Sequence, residues 1–179
     1  MLTRSQLDRV REHVPADAIS ARYDQTAQLR DVGPAMRIHG DLHLGQSLRA
    51  DAGWYLIDFE GEPARPLAER IRPSSPLRDV AGMLRSFHYA AEVARWEGAH
   101  DEDISRREAA AWEERARQAF LAGYFGTEGI DALLPPEEHR QAVLDAFELD
   151  KAAYEVAYEV GFRPQWVPIP LAAIQRILS

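Results

Sequence analysis

Residues 37–46 read RIHGDLHLGQ, and residues 56–60, a hairpin's length later, read LIDFE. Between them the pattern predicts a β-hairpin, with one strand at residues 46–49, a turn at residues 51–53 and an apolar second strand at residues 54–58. Such a hairpin would bring polar side chains from its two strands toward the turn that precedes it. We expect this region to carry the chemistry of the chain.

The spacing of the polar residues in these stretches is typical of phosphoryl transfer. His39, Asp41 and Gln46 follow the pattern H-x-D-x-x-x-x-N, with Gln46 in the last place, and Asp58 begins a D-F-x triplet. Phosphoryl transfer needs a carboxylate that takes the proton of the acceptor hydroxyl and Mg²⁺ that neutralises developing charge. We therefore predict Asp41 as the base, and oxygens of Gln46 and Asp58 as Mg²⁺ ligands.

Glu60 lies two residues after Asp58, so the two side chains share a strand face if the strand continues. Glu60 is then a candidate for a further metal ligand or a substrate contact. An isolated H-G-D or D-F-x triplet is common in ordinary turns. The combined spacing of both triplets is what makes the pattern specific.

A different chemistry competes for the same residues. His39 and Asp41 would supply two of the three ligands of a facial triad that holds Fe(II) in an oxygenase. That site needs a distal histidine on a β-rich barrel, whereas His88 and His139 lie in segments that predict helices. The sequence therefore disfavours the oxygenase.

The rest of the chain predicts a helical scaffold. Ser75 and Pro76 are a favourable N-cap and first residue for a helix with apolar positions as far as Ala91. A long helix is expected at about residues 137–160, and an extended segment at residues 164–170. The fold class is mainly α (α+β), with one small hairpin.

Composition narrows the class of protein. The chain has 179 residues and a formal net charge of −8, which disfavours binding to nucleic acid or an acidic membrane. It contains no cysteine, so thiolate metal sites and cysteine nucleophiles are excluded. No stretch is long and apolar enough to span a bilayer, and the N-terminus lacks a signal-peptide core. We expect a cytoplasmic protein with one domain or one large lobe.

Five stretches of the sequence also resemble a known family. They are residues 37–46, residues 57–70 (IDFEGEPARPLAER), residues 75–87 (SPLRDVAGMLRSF), residues 147–159 (FELDKAAYEVAYE) and residues 163–171 (RPQWVPIPL). Together they resemble the C-terminal lobe of aminoglycoside-phosphotransferase-like kinases, within the protein-kinase-like superfamily, and closely resemble the bacterial maltokinases. Related sugar kinases, including glucosamine kinases, share these signatures.

The resemblance implies an ATP-dependent transfer to the anomeric hydroxyl of maltose, giving maltose 1-phosphate for α-glucan synthesis. It implies that Asp41 is the base and that Gln46 and Asp58 bind Mg²⁺. It also implies that His39 braces the catalytic loop and that Asp79 anchors this loop from below. For Asp79 the alternative is an ordinary acidic residue in the first turn of a helix.

Four further residues have two open interpretations each. His43 either faces the acceptor sugar or forms a hydrogen bond within its own loop. Lys151, Tyr154 and Tyr158 share one face of the long helix, where they either contact a sugar or pack against the core. Packing is the more common role of such a stripe.

We expect a single lobe with three parts: an N-terminal helical segment at residues 1–34, a catalytic loop and metal-binding hairpin at residues 35–66, and a helical scaffold at residues 67–179. No Gly-rich loop precedes Arg37, and the only lysine is Lys151. We therefore expect the N-terminal lobe that holds ATP to be absent. The isolated chain would then have weak activity and form a homo-oligomer or seek a partner. The alternative is a non-catalytic lobe that serves as an interaction module or half of a split enzyme.

Overall fold

The protein is largely helical, with a single two-stranded antiparallel sheet among the residues described. This computed structural model describes residues 7–8, 10–63, 65–97 and 102–179. Its helices and strands are α1 (Ala16–Ala27), β1 (Ser47–Ala50), β2 (Gly53–Leu56), α2 (Leu67–Arg70), α3 (Leu77–Glu97), α4 (Glu102–Phe125), α5 (Glu137–Phe162) and α6 (Pro168–Leu178). The predicted mainly helical fold with one small hairpin is confirmed.

The chain divides into two units. A terminal unit comprises Met1–Val32 and Pro135–Ser179, and a central unit comprises Gly33–Leu134. The predicted three-part organisation of a single lobe stays a prediction.

The terminal unit is built around a core between α1, α5 and α6. Apolar residues at helical spacing along each of these helices face the others, which buries them fully. The most deeply buried members are Ile19, Leu149, Ala152, Val156 and Ile174. Arg22 on α1 adds an ion pair with Asp145 on α5, at 3.1 Å. This unit depends on contacts between residues far apart in the sequence.

The central unit packs α3 against α4 and carries the hairpin. Ser75 receives the N–H of Leu77 on its hydroxyl at 3.3 Å, so α3 begins where the serine and proline predict. Met36 and Ser74 exchange two backbone hydrogen bonds of 2.9 Å each. This bridge joins the segment before residues 37–46 to the segment before α3, and so places both beside the same helix.

Two boundaries differ from the sequence-based expectation. The second hairpin strand ends at Leu56, so Asp58 and Glu60 do not share a strand face. Residues 164–170 are not extended: Pro164–Trp166 forms a 3-10 turn and α6 begins at Pro168. Prolines are compatible with a first helical turn because the N–H groups there have no partner within the helix.

No helix within the described ranges combines the length and apolar character needed to cross a membrane.

The core of the terminal unit gives a direct test of packing. Leu149 is completely buried, and Leu149→Ala removes apolar contacts and leaves a cavity. We expect the free energy of unfolding to fall by about 2 to 5 kcal/mol, measured by urea denaturation. Leu67→Ala is the matched control, because Leu67 is 63% exposed and its change should stay within about 0.5 kcal/mol. Equal losses in both variants would contradict the assignment of the core.

Candidate active site

The carboxylate of Asp79 holds the backbone of the turn that precedes Asp41. Its two oxygens accept the N–H groups of His39 at 2.7 Å and Gly40 at 2.8 Å. Asp79 lies in the first turn of α3, so one helix presents an acceptor to two successive amides. Short hydrogen bonds to a charged acceptor are the strong kind. The turn is therefore attached to α3 just before the predicted base.

His39 links the turn to the end of the hairpin. Its buried ring has Nε2 at 2.8 Å from the carbonyl oxygen of Ile57 and Nδ1 at 3.4 Å from the N–H of Asp41. A carbonyl only accepts and an N–H only donates, so the neutral tautomer with hydrogen on Nε2 satisfies both contacts. The ring also packs against Phe59, with centroids 4.7 Å apart. One side chain thus contacts both predicted catalytic segments.

The turn and the segment after Asp58 also meet directly. Gly40 has a φ of +85°, and a Cβ built there would lie 3.3 Å from the Cα of Gly61. A larger residue would be strained in conformation and crowded against the neighbouring backbone. Glycine therefore permits the close approach of the two loops.

Gln46 and Asp58 form the polar pair predicted to hold a metal. The amide Nε2 of Gln46 donates to Asp58 at 2.9 Å, which brings the two side chains together across the base of the hairpin. Asp58 has a φ of +63°, which L-residues rarely adopt and which aspartate tolerates better than most. The pair offers hard oxygen ligands of the type that Mg²⁺ prefers, so the donor set fits this ion.

Glu60 and His43 are held mainly through local contacts. The carbonyl of Glu60 accepts from Nη1 of Arg70 at 3.2 Å, while its side chain is exposed. The ring Nδ1 of His43 accepts the N–H of Gly45 at 3.1 Å and so caps the short turn Leu44–Gln46. This contact is the loop hydrogen bond that was one of two interpretations of His43. Substrate contacts of either residue stay predictions.

Lys151 and Tyr154 lie on α5 in the terminal unit. The Nζ of Lys151 is 5.3 Å from the ring centroid of Tyr154, and that ring packs against the core cluster of its own unit. Tyr158 is 42% exposed and its ring is 4.7 Å from Phe162. The packing of Tyr154 corresponds to the more common of the two interpretations, and a sugar contact stays a prediction.

Two supporting residues were missed by the sequence patterns. Ser86 on α3 accepts the N–H of Leu44 at 3.1 Å and donates to the carbonyl of Met83 at 2.7 Å. Arg70 supports the loop at Glu60. The only signal for Ser86 is its spacing of seven residues from Asp79, which places both on one helix face.

A cavity of about 480 Å³ lies in the central unit beside the turn. Its wall is mainly apolar and includes Leu42, Leu44, Leu56, Met83, Phe87 and Phe120. An apolar wall offers a sugar few hydrogen bonds, so this cavity is a poor candidate for the sugar site.

Burial raises the pKa of Asp79, although its hydrogen bonds from Gly40 and His39 oppose the shift. Burial and the nearby charge of Asp79 also raise the pKa of Tyr124.

The oxygenase interpretation does not agree with this geometry. Both ring nitrogens of His39 have protein partners. Across residues 7–8, 10–63, 65–97 and 102–179, no group of three or more His, Cys, Asp or Glu side chains is placed to hold a metal ion. Among the histidines that the structure describes, none completes a facial triad with His39 and Asp41.

No family model matches the chain. The chain is similar to glucosamine kinases. It is 32% identical over 146 residues to the glucosamine kinase of Mycolicibacterium smegmatis, covering 82% of this chain and 35% of the relative. The glucosamine kinase of Streptacidiphilus jiangxiensis is 29% identical over 145 residues, covering 81% and 32% respectively.

A solved structure gives the corresponding fold. The glucosamine kinase in complex with glucosamine, ADP and inorganic phosphate matches with a TM-score of 0.82 at 27% identity. The match covers 98% of this chain and 45% of that one. The chain therefore has the fold of a helical part of a sugar kinase, and it spans about a third of the length of its curated relatives.

The raised pKa of Asp79 predicts a pH dependence. The folded state holds the Asp79 proton more tightly than the unfolded state, because the folded pKa lies above its ordinary value of 3.8. The stability from this group is fully present below pH 3.8 and is lost as the pH rises through the folded pKa. The amide proton shifts of His39 and Gly40, followed by NMR, should report a midpoint above 3.8. Asp79→Asn should remove this inflection, and a midpoint at or below 3.8 would contradict the burial argument.

Proposed function

We propose that residues 37–60 form the phosphoryl-transfer site of a sugar kinase, with Asp41 as the base. The contact that carries the proposal is His39, which bonds to the backbone of Asp41 and to Ile57, next to Asp58. A base and a metal-binding carboxylate are the groups that phosphoryl transfer needs in fixed relative positions. In this reaction Asp41 orients the acceptor hydroxyl and takes its proton.

Mg²⁺ and ATP are the proposed partners of the site. Gln46 and Asp58 would hold the ion, which neutralises negative charge on the phosphates when bound. The contact between these two side chains supports a shared role. Asp58 is exposed and Gln46 is half-buried, so a ligand can reach the pair. His39 and Asp79 contribute by holding the backbone around Asp41, without contact with the reacting atoms.

The proposed acceptor is an amino sugar, with glucosamine as the first candidate. The matched relatives are named as glucosamine kinases, and the matched structure contains glucosamine and ADP. These likenesses favour glucosamine over the maltose that the maltokinase-like motifs suggested. The residues proposed to contact the sugar near the base are His43 and Glu60.

A non-catalytic lobe that binds a sugar or a partner chain is the second candidate. The contacts between α3 and the turn would hold the same backbone in a lobe without turnover. This candidate keeps the same fold and the same turn, but predicts no turnover.

Replacement of the base separates these two candidates. Asp41→Asn keeps the shape of the side chain and removes the proton acceptor. We expect sugar-dependent ADP formation, assayed with Mg²⁺ and ATP, to fall by a factor of about 10² to 10⁴. Asp51→Asn, in the exposed hairpin turn, is the matched control and should retain full activity.

Three outcomes of this assay are informative. Loss of turnover in Asp41→Asn alone supports the kinase. Equal turnover in both variants contradicts the role of Asp41. A wild-type chain that binds glucosamine by NMR saturation transfer but forms no ADP supports the non-catalytic lobe and contradicts the kinase for this chain.

The acceptor is tested with three sugars. Glucosamine should be phosphorylated with a kcat/KM about 10-fold or more above that of glucose, which carries a hydroxyl in place of the amine, because a neutral hydroxyl cannot donate the charge-assisted hydrogen bond of an ammonium group. Maltose should be as poor as glucose. A preference for maltose in the ADP-release assay would restore the maltokinase assignment.

A further inference from the structure

One face of α3 contacts the turn at residues 39–44, which contains Asp41. Asp79, Gly82 and Ser86 are spaced by three and four residues, so they lie in a row along the helix. Asp79 accepts the N–H groups of His39 and Gly40, and Ser86 accepts the N–H of Leu44. We call these three residues the supporting face. It holds the turn at both ends, before and after Asp41.

Gly82, the middle residue of the supporting face, contributes by having no side chain at this contact. A Cβ built on Gly82 would lie 2.5 Å from the carbonyl oxygen of Leu42, closer than real Cβ contacts allow. The neighbouring atom belongs to the backbone, so no side-chain rotation relieves the overlap. Leu42 directly follows Asp41. Any side chain at Gly82 must therefore move the turn away from α3 or distort the helix.

Gly82 has an unusual place for this residue type. It lies inside a helix of 21 residues, where glycine is less favourable than alanine. Its helical backbone does not require glycine, because its φ is not positive. The close approach of Leu42 is therefore the physical reason for glycine at this point.

We propose that Gly82 is a positioning residue that, together with Ser86, sets the distance of Asp41 from α3. This inference rests on the proposed function, in which Asp41 is the base. Gly82 lets the carbonyl of Leu42 approach the helix, and Ser86 holds the amide of Leu44 at that distance. The height of the Asp41 side chain over α3 follows from these two contacts and from Asp79.

The test compares two glycines in helices of the same unit. Gly82→Ala forces the turn outward, and we expect kcat for glucosamine to fall about 10- to 100-fold with little change in KM, since a shift of about 1 Å at a reacting group has an effect of this size. Gly123→Ala is the matched control: Gly123 lies in α4, and a Cβ there meets nothing within 4 Å. This variant should keep both kinetic constants and raise the melting temperature.

A lowered kcat in Gly82→Ala alone supports the proposal if the circular dichroism signal equals that of the wild type. A loss of folded protein would instead lower the circular dichroism signal in the same proportion as kcat. If both alanine variants keep the wild-type kcat and gain thermal stability, the proposal is wrong.

A second readout does not depend on catalysis. Ser86→Ala removes the acceptor of the Leu44 amide, and the hydrogen exchange of that amide, followed by NMR, should become about 5- to 10-fold faster. Ser86→Thr keeps a hydroxyl and should restore the slow exchange. Unchanged exchange in Ser86→Ala would contradict the role of the supporting face. If Gly82→Ala does not fold, this measurement decides the question.

The two readouts distinguish a failure of the proposed function from a failure of the positioning role. If no sugar is phosphorylated by the wild-type chain, the proposed function fails, and the exchange of the Leu44 amide still tests the supporting face. If sugar is phosphorylated but Gly82→Ala and Ser86→Ala match the wild type in kcat and exchange, the positioning role fails alone.

Discussion

The site depends first on one partly buried carboxylate. Each oxygen of the Asp79 carboxylate accepts one of two consecutive amides, those of His39 and Gly40. A side chain with only one acceptor oxygen would leave one of these amides unpaired. This constraint determines where α3 must begin relative to the turn. The backbone bridge between Met36 and Ser74 meets the requirement, because it brings both chain segments to the same place. The α3 helix therefore fixes the position of residues 39–41, which end at the proposed base.

The imidazole of His39 provides the second link. It bonds to the turn with one nitrogen and to the hairpin with the other, so one side chain joins the two halves of the site. Buried contacts are little affected by salt, in contrast to exposed ion pairs. The relative position of Asp41 and Asp58 therefore rests on packing and directional hydrogen bonds.

Much of this architecture was predictable because it depends on local patterns. The hairpin follows from alternating residues around a Gly-containing turn, and the start of α3 follows from Ser75 and Pro76. The spacing of His39, Asp41, Gln46 and Asp58 pointed to the same small region that the structure joins through hydrogen bonds.

The features that sequence patterns missed depend on contacts between distant segments or on backbone angles. Nothing local distinguishes Gly82 from other helical glycines, because its neighbour Leu42 is 40 positions away in the chain. The prolines at 168 and 170 suggested an extended segment, but they occupy the first turn of α6, where their missing N–H groups have no cost. The end of β2 at Leu56 follows from the reversal of φ at Asp58, which side-chain alternation does not report.

The left-handed backbone of Asp58 has an evolutionary and practical consequence. An L-residue in this conformation holds strain of about 1 kcal/mol, which glycine would relieve. Selection for thermal stability alone would therefore favour replacement at this position, although the carboxylate would be lost. Stability and the proposed metal-binding role therefore oppose each other at Asp58. A search for robust variants of this protein should hold position 58 constant and seek its gains in the core of the terminal unit.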